Sequence, residues 1–274
     1  MTNASVEVRD VAFGFEHNVG GLWNARRPEL SHMLNAFQLA LPYLEPYFID
    51  AIKEASPRLD DPRVKADAAA FCAQEANHAR QHKRYSRALC ARYPRLAEFE
   101  KGIQQSLIQS RQRDPLEWRL AYTAGYEAIT AQLSRWMFRH ADDFFRDAAG
   151  DFGALMMWHA AEEIEHRHVA FDVLRAVDDR YGLRMKGLFA ALRKTQVDLI
   201  PAVTYMLEVD GYRGRLDSRM RRARIRLRVA GELLSTIVRY LAPGYHPSKD
   251  AEPREAIEWR RDYERKGARE RSPC

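Results

Sequence analysis

Residues 158–172, WHAAEEIEHRHVAFD, place three histidines and three glutamates in a segment that otherwise has the apolar spacing of a packed helix. At about 100° per residue, His159, Glu163 and His166 fall within roughly 60° of one another on the helix surface. They form one stripe, H-xxx-E-xx-H, on a single face. Folding of a soluble helix does not require such a stripe. The stretch therefore predicts a helix that directs three side chains of the kinds that bind metals, two His and one Glu, to one side.

The other side of the same helix carries Glu165, His168 and Asp172. Glu165 and His168 also have the spacing ExxH. We interpret His168 and Asp172, which are four residues apart, as a supporting or surface pair rather than as ligands. The stretch thus separates into three residues that face one way and three that face another.

A second helix carries the same residue types in the reverse order. In residues 71–85, FCAQEANHARQHKRY, the side chains of Glu75, His78 and His82 fall within roughly 60° and form the stripe E-xx-H-xxx-H. For either stripe alone, a solvated polar face is the simpler alternative. Two such helices packed together bring six ligand atoms to a common point, which favours a metal site.

Two isolated glutamates lie in apolar helical sequence. Glu127 occurs in LAYTAGYEAITAQL, with no other charge from residue 121 to 134, and Glu45 occurs in LALPYLEPYFI. A buried carboxylate without a partner is costly, and metal ligation removes that cost. One Glu from each of two helices, with Glu-xx-His from each of two others, is the ligand set of ferritin-like dinuclear proteins. The candidate metal ligands are therefore Glu45, Glu75, His78, His82, Glu127, His159, Glu163 and His166.

Helical spacing dominates the chain, and the alternation typical of a strand appears only weakly near residues 6–13. We predict an all-α fold: a ferritin-like four-helix bundle that carries a dinuclear metal site, with additional C-terminal helices. The bundle consists of the first, second, fourth and fifth predicted helices. The predicted helices cover 30–56, 62–91, 94–111, 115–148, 152–180, 184–209, 214–241 and 251–268. We assign residues 1–212 to an N-terminal arm and the bundle, and residues 213–274 to basic helices packed on it in the same domain.

Charge is unevenly distributed along the chain. From residue 212 onward there are 17 Lys/Arg and 9 Asp/Glu, out of 44 and 38 in all, so the basic character belongs to the C-terminal quarter. The N-terminus has no apolar core of signal-peptide length, and no stretch approaches the roughly 20 apolar residues of a membrane span. The three cysteines have no CxxC spacing. These features predict a cytoplasmic protein without a disulfide framework.

The chain resembles the family of predicted metal-dependent hydrolases, which are members of the ferritin-like group. The resemblance rests on the blocks QEANHARQH and WHAAEEIEHRHVAFD, and is supported by LPYLEPYF, GYEAIT and APGYHPSKD. In the first segment of the family a Gly precedes the Glu and no Pro follows it, whereas this chain has Leu44 and Pro46. The resemblance implies a helical fold, a metal site and, through the family's description, hydrolysis.

Imidazole and carboxylate ligands together suit iron, manganese or zinc. We expect two metal ions, with iron first, manganese next and zinc last, and with Fe/Fe or Fe/Mn as the pair. The carboxylate-rich ligand set favours an O2-activating oxidase or oxygenase that acts on a small organic substrate, with an electron donor that the sequence does not identify. The alternative is a metal-dependent hydrolase that uses a metal-bridged hydroxide as nucleophile. Ligand spacing does not separate these two reactions.

Two other classes of protein rank lower. A metal-storage protein is disfavoured because nothing in the sequence predicts a cage. A basic segment at residues 219–241, RMRRARIRLRVAGELLSTIVRYL, combines arginines with aliphatic residues, which is the basis for contact with an acidic membrane surface or nucleic acid. A solvated helix that covers the bundle with its long side chains is favoured over that alternative.

Overall fold

The computed structural model describes residues 6–9, 11, 13–15 and 21–271, and within these ranges the chain is helical with no strand. The prediction of an all-α fold is confirmed. The weak alternation near residues 6–13 forms no strand at the described positions. The helices, in chain order, are α1 (Pro28–Ala55), α2 (Pro62–Arg92), α3 (Leu96–Arg113), α4 (Leu116–Arg139), α5 (Ala141–Phe145), α6 (Phe152–His166), α7 (Val169–Val177), α8 (Tyr181–Val209), α9 (Leu216–Tyr240) and α10 (Arg254–Arg271).

The prediction of one helix over 115–148 is wrong, because α4 ends at Arg139 and the short α5 follows it. At the break, Nδ1 of the His140 ring lies 3.0 Å from the Trp136 carbonyl oxygen, the acceptor that the His140 backbone N–H uses in a regular helix. That N–H instead donates to the Met137 carbonyl at 3.2 Å. A side chain has replaced a backbone donor, and the helix ends there.

The helix predicted over 152–180 is likewise divided, into α6 and α7. The Arg167 guanidinium donates to the Ile164 carbonyl, which is the acceptor that the backbone N–H of His168 uses in a regular helix. No Gly or Pro marks this position in the sequence. The break follows directly after His166, so the last candidate ligand occupies the final turn of α6.

Helix α1 continues without a break through Pro42 and Pro46. A proline has no N–H to donate to the carbonyl four residues earlier. The carbonyl left without its donor by Pro42 belongs to Gln38, and Ser86 of α2 donates its hydroxyl to that oxygen at 3.4 Å. Helix α2 thus supplies a hydrogen-bond donor in place of the N–H that Pro42 lacks. This hydrogen bond joins α1 to α2 close to Glu45.

Helix α8 packs along α4 at very close range. A Cβ atom added at Gly125 is 2.6 Å from the Leu188 Cα, and one added at Gly187 is 2.1 Å from the Ala121 carbonyl oxygen. Neither position has room for a larger residue. Helix α8 also contacts α1, so it covers the side of the bundle where α1 and α4 meet.

The apolar core consists of two groups of residues, and on α2 and between α6 and α7 the boundary between them falls at candidate ligands. On α2 the first group ends at Cys72, the second begins at Tyr85, and three predicted ligands lie between them. On α6 and α7 the second group ends at Ile164 and the first resumes at Val169. The candidate ligands of α2, together with His166, therefore occupy a polar layer between two apolar regions of the bundle, whereas Glu45 and Glu127 are flanked along α1 and α4 by residues of the first group.

The basic C-terminal helices lie on this bundle, α9 against α4 and α1, and α10 against α4 and α6. Among the described residues, no helix combines the length and the apolar character needed to cross a bilayer. Cys72 and Cys90 are free thiols, and Cys274 lies outside the described residues.

Candidate metal centre

The eight predicted ligands all lie in the interior of the bundle. None of them is more than 2 % exposed. Seven of the eight form two groups in which one ligand atom from each residue lies within 4.8 Å of the others. The first group contains Glu45, His78 and His159, and the second contains Glu75, Glu127, Glu163 and His166. Four helices, α1, α2, α4 and α6, therefore supply the donor atoms.

The centre of the second group is His166. Its Nε2 atom lies 3.4 Å from Oε1 of Glu75, 3.4 Å from Oε2 of Glu127 and 3.3 Å from Oε1 of Glu163. Three helices thus direct carboxylate oxygens to one imidazole nitrogen. A donor set of one nitrogen and several carboxylate oxygens suits iron, manganese or zinc.

Glu163 lies between the two groups. Its Oε1 is 3.3 Å from Nε2 of His159 in the first group and 3.3 Å from Nε2 of His166 in the second. Glu75 of the second group also reaches the first, since its Oε1 lies 3.7 Å from Nδ1 of His78. The two groups therefore adjoin each other, and Glu163 makes the closer of these two contacts with the first group.

His82 lies outside both groups but borders the first. Its Nε2 atom is 2.7 Å from Nδ1 of His159 and 3.6 Å from Oε1 of Glu45. Burial, with the neighbouring charges of His159 and His78, lowers the pKa of His82 well below its usual value. The neutral imidazole is the form that binds a metal. Ligation by His82 stays a prediction.

Many donor atoms of this region have no hydrogen-bond partner in the part of the chain that the structure describes. They are both carboxylate oxygens of Glu45 and of Glu75, one oxygen each of Glu127 and Glu163, Nδ1 of His78 and of His82, Nε2 of His159, and both ring nitrogens of His166. Buried polar atoms are nearly always hydrogen-bonded, because leaving one unpaired costs about 1–3 kcal/mol. Metal ions satisfy such atoms, so the donor set fits metals.

The carboxylates of the cluster differ in charge state. Burial, together with the repulsion of neighbouring carboxylates, raises the pKa of both Glu45 and Glu127 well above the ordinary value. Burial also opposes ionisation of Glu163, but the positive charges of His166 and His159 outweigh it and hold the Glu163 pKa at about 2. Several carboxylates crowded in one buried space cannot all ionise without cations to balance them.

Glu162 orients one of the candidate ligands, and the sequence analysis does not assign it a role. Its Oε2 lies 3.0 Å from Nε2 of His78, and its Oε1 accepts hydrogen bonds from Trp158 Nε1 at 3.1 Å and Arg9 Nη1 at 3.3 Å. Burial lowers the pKa of His78, but the hydrogen bond to Glu162 and the nearby carboxylate of Glu75 outweigh it and raise that pKa well above its usual value. A carboxylate on the outer nitrogen of a ligating histidine fixes the ring's orientation. Nδ1 of His78 therefore faces the cluster.

Glu165, predicted to face away from the ligand stripe, belongs to neither group and is buried beside an arginine. Arg9 binds its carboxylate through both Nη atoms, at 2.7 and 3.0 Å, and Gln74 Nε2 donates to it at 3.1 Å. Arg9 thus joins Glu165 to Glu162. The position of Glu162 on α6, roughly 60° from His159 at the edge of the stripe, is the signal that identifies it in the sequence. No such signal exists for Arg9, whose partners lie 153 and 156 residues away.

The N-terminal segment reaches this cluster by lying along α2. Alternate carbonyl oxygens of the segment, those of Glu7, Arg9 and Val11, accept hydrogen bonds from Gln74, Asn77 and Gln81 at 2.7, 3.1 and 2.6 Å. Three amide side chains on one face of α2 therefore hold the extended chain in register, and this register brings Arg9 to α6.

His168 and Asp172 also lie outside the two groups. Nε2 of His168 is 3.5 Å from Oδ2 of Asp67, and Oδ1 of Asp172 is 2.7 Å from Nε2 of His246. Burial lowers the pKa of His168, and the charges of Asp172 and Asp67 oppose that effect. The two residues are thus electrostatic neighbours with further partners on other parts of the chain.

A family model described as "Predicted metal-dependent hydrolase" matches residues 7–251 of the chain. The chain belongs to this family. No curated protein and no solved structure matches the chain significantly. The family's description agrees with the hydrolase alternative of the sequence analysis, and it gives no support to the O2-dependent reaction that the sequence analysis favoured.

The match to the predicted metal-dependent hydrolases includes all eight candidate ligands, and also Arg9 and Glu162. It ends at residue 251, before α10 begins at Arg254. The region that defines membership of the family is therefore the bundle with α8 and α9 packed on it. The resemblance inferred from the two His-rich blocks is confirmed by this match. Glu45 lies in the first group of potential ligands despite the neighbouring Leu44 and Pro46, and its ligation stays a prediction.

We predict that His82 and His159 both bind metal. Each extends a Glu-xx-His stripe by one helical turn, and their facing nitrogens are 2.7 Å apart. Replacing either residue with Ala is expected to lower the metal content measured by elemental analysis. His168→Ala is the matched control, because His168 is also buried but pairs with Asp67, and this variant is expected to retain full metal occupancy. Equal metal content in all three variants contradicts the four-histidine ligand set.

Proposed function

We propose that the chain is a metal-dependent hydrolase whose centre holds two metal ions. The observation that carries this proposal is the set of buried, unpartnered nitrogen and oxygen atoms that surround Glu163 on four helices. Membership of the family supports the type of reaction. The proposed ligands are Glu45, Glu75, His78, His82, Glu127, His159, Glu163 and His166.

Charge balance supports two ions rather than one. The cluster contains four carboxylates, and their ion pairs within the described residues are with histidines. A carboxylate binds a metal in its ionised form. Two divalent ions neutralise all four when all are ligands, whereas with one ion two of the four must stay protonated or leave negative charge in a buried space. Glu163, which contacts a histidine of each group, would be within reach of both ions.

Bound divalent ions supply Lewis acidity, which polarises a carbonyl group and makes a coordinated water acidic at neutral pH. The chain's own residues prepare the site for this chemistry. Glu162 holds the outer nitrogen of His78, and Arg9 and Trp158 in turn hold Glu162. Arg9 also neutralises part of the charge of Glu162 and Glu165, so these outer carboxylates do not compete with the ligands for cations.

The substrate class follows from the burial of the donors. Because each of the eight residues is at most 2 % exposed, the reacting group must enter between tightly packed helices. We propose a small organic ester or amide rather than a polymer. The apolar residues on either side of the polar layer favour a substrate with apolar character.

The same burial favours one second candidate, an O2-dependent oxidase or oxygenase. Exclusion of water protects a reactive oxidising site from side reactions, and hydrolysis has no need of such exclusion. Eight nitrogen and oxygen donors also come close to saturating two ions, which suits metals that change oxidation state with movement of carboxylates.

The test is made on protein purified without a chelating tag and loaded anaerobically with Fe(II), Mn(II) or Zn(II). The hydrolase proposal predicts about two ions per chain by elemental analysis, and cleavage of small esters or amides that needs no O2 and is lost on chelation. Consumption of O2 in proportion to protein, with a transient visible absorption and no cleavage, establishes the second candidate instead. A reproducible single ion per chain contradicts the dinuclear centre in either reaction.

A further inference from the structure

Helix α9 has two apolar faces, and only one of them is covered. The inner face packs against α4 and α1, with Thr236 and Tyr240 buried and Ile225 and Val229 half-buried. The outer face leaves large side chains in solvent: Leu216 is 72 % exposed, Met220 51 %, Leu227 73 %, Leu234 58 % and Val238 60 %. A helix on the surface of a globular protein normally has a single apolar stripe, which faces the core.

The exposed side chains form a continuous stripe. At about 100° per residue, all five fall within roughly 60° of one another on the side opposite to Thr236. Leu241, 43 % exposed, continues the same line just beyond the helix. The stripe therefore extends along the whole of α9, a length of roughly 37 Å at 1.5 Å per residue.

Four arginines flank this stripe without acidic partners. Arg224 and Arg228 lie on one side of it, and Arg219 and Arg226 on the other. All four are exposed, and among the described residues no carboxylate forms an ion pair with them. Arg221, by contrast, is paired with Glu29 and Asp217 and faces the body of the protein.

We propose that the outer face of α9 binds an anionic lipid surface. Aliphatic side chains along one line, with arginines on both flanks, are the arrangement of a helix that lies in the plane of a membrane interface. The aliphatic groups enter the boundary between headgroups and acyl chains. The long arginine side chains extend upward to the phosphate and carboxylate groups of the lipids.

A second copy of the chain fits this face less well. Two α9 helices packed on each other cover the aliphatic stripe, but they bring like charges together. The only acidic residue of α9 beyond Asp217 is Glu232, and its carboxylate is already bound by Gln132 and Arg139. Asp217 is paired with Arg215 and Arg221, so α9 of a second copy offers no unpaired carboxylate to the four arginines.

Nucleic acid also fits less well. It neutralises the arginines through its phosphates but leaves the aliphatic stripe in water. Stacking on bases requires exposed aromatic side chains, and the only aromatic residue of α9, Tyr240, is fully buried. An anionic lipid surface both covers the aliphatic stripe and balances the positive charge of the four arginines.

The experiment measures sedimentation of the full-length, metal-loaded protein with vesicles of phosphatidylcholine, with or without phosphatidylserine. We expect binding that requires phosphatidylserine and weakens as salt is raised. Two double variants are each expected to reduce the binding constant about tenfold or more. One combines Leu227→Gln with Leu234→Gln, and the other combines Arg224→Gln with Arg228→Gln.

Matched double variants on other surfaces serve as controls. Ile108→Gln with Phe189→Gln removes exposed apolar groups from α3 and α8, and Arg63→Gln with Arg113→Gln removes exposed charges from α2 and α3. Both are expected to bind within about twofold of the parent protein. Helical content and metal content of every variant report on folding separately from binding.

Three outcomes overturn the proposal. The first is equal binding of all variants, or no dependence on phosphatidylserine. The second is that the protein does not bind vesicles but forms a dimer in sedimentation equilibrium, and that the leucine double variant dissociates this dimer. That result assigns the outer face of α9 to a second copy. The third is the absence of vesicle binding with salt-dependent retention on a DNA or RNA duplex, which assigns it to nucleic acid.

Discussion

Glu127→Gln is expected to lower the bound metal from about two ions per chain to about one, without loss of the fold. Glu127 is one of three carboxylates around Nε2 of His166. Replacing a residue that hydrogen-bonds to a metal ligand already lowers metal affinity by roughly 10–100-fold. Loss of a residue that binds the metal directly is therefore expected to lower the affinity at least as much. Hydrolytic activity is expected to fall with the metal content.

The fold is expected to survive because the metal-free protein already disfavours a charge at this position. Burial and neighbouring carboxylates raise the pKa of Glu127 well above its ordinary value. The protonated carboxyl and the glutamine amide have nearly the same shape. The free energy of unfolding of the metal-free protein, measured in urea, is therefore expected to change little.

The matched control is Glu100→Gln. Glu100 is also a buried glutamate, but it pairs with Lys83 and lies in neither group of potential ligands. The control is expected to keep two ions per chain. If Glu127→Gln also keeps two, then Glu127 is not a ligand and the second group must be reassigned.

Metal loading is expected to raise the melting temperature by about 10 °C relative to protein treated with a chelator. Each ion present at about 100 times its dissociation constant stabilises the folded state by roughly 2.7 kcal/mol, so two ions contribute roughly 5 kcal/mol. A change of 1 kcal/mol shifts the melting temperature of a domain of this size by about 2 °C or more. Scanning calorimetry with and without EDTA measures the difference.

The physical reason is that a bound cation supplies the partner that these donor atoms lack among the described residues. Glu127→Gln is expected to retain about half of the increase, since one ion is still bound. A melting temperature that does not respond to Fe(II), Mn(II) or Zn(II), in protein that retains its helical content, contradicts a metal centre at this position.

The candidate ligands could be predicted from the sequence because helical geometry acts over short distances. Residues three or four apart share a face of any α-helix, so His159, Glu163 and His166 lie together whatever surrounds them. The isolated glutamates, Glu45 and Glu127, are identified by a different local property, the cost of a carboxylate within apolar sequence. The structure confirms that all of these residues are buried, and it brings them together.

The ends of two helices could not be predicted because they depend on single side-chain hydrogen bonds. The His140 ring contacts the Trp136 carbonyl oxygen, and the Arg167 guanidinium donates to the Ile164 carbonyl oxygen. In each case a side chain takes the place of a backbone N–H. Neither His nor Arg has a helix propensity low enough to end a helix, and the sequence on both sides of each residue has helical spacing.

The sequence by itself determined the helical class, the two ligand stripes and the segregation of positive charge to the C-terminal quarter, since each follows from spacing or composition along one segment. Only the tertiary structure decided that Glu162, itself bound by Arg9, holds His78, which nitrogen of His78 faces the cluster, and which side of α9 stays in solvent. These features depend on contacts between residues far apart in the sequence, such as the pair His78 and Glu162, 84 apart. A periodic pattern specifies the face of a helix, whereas the partner of that face is determined by how all the helices pack together.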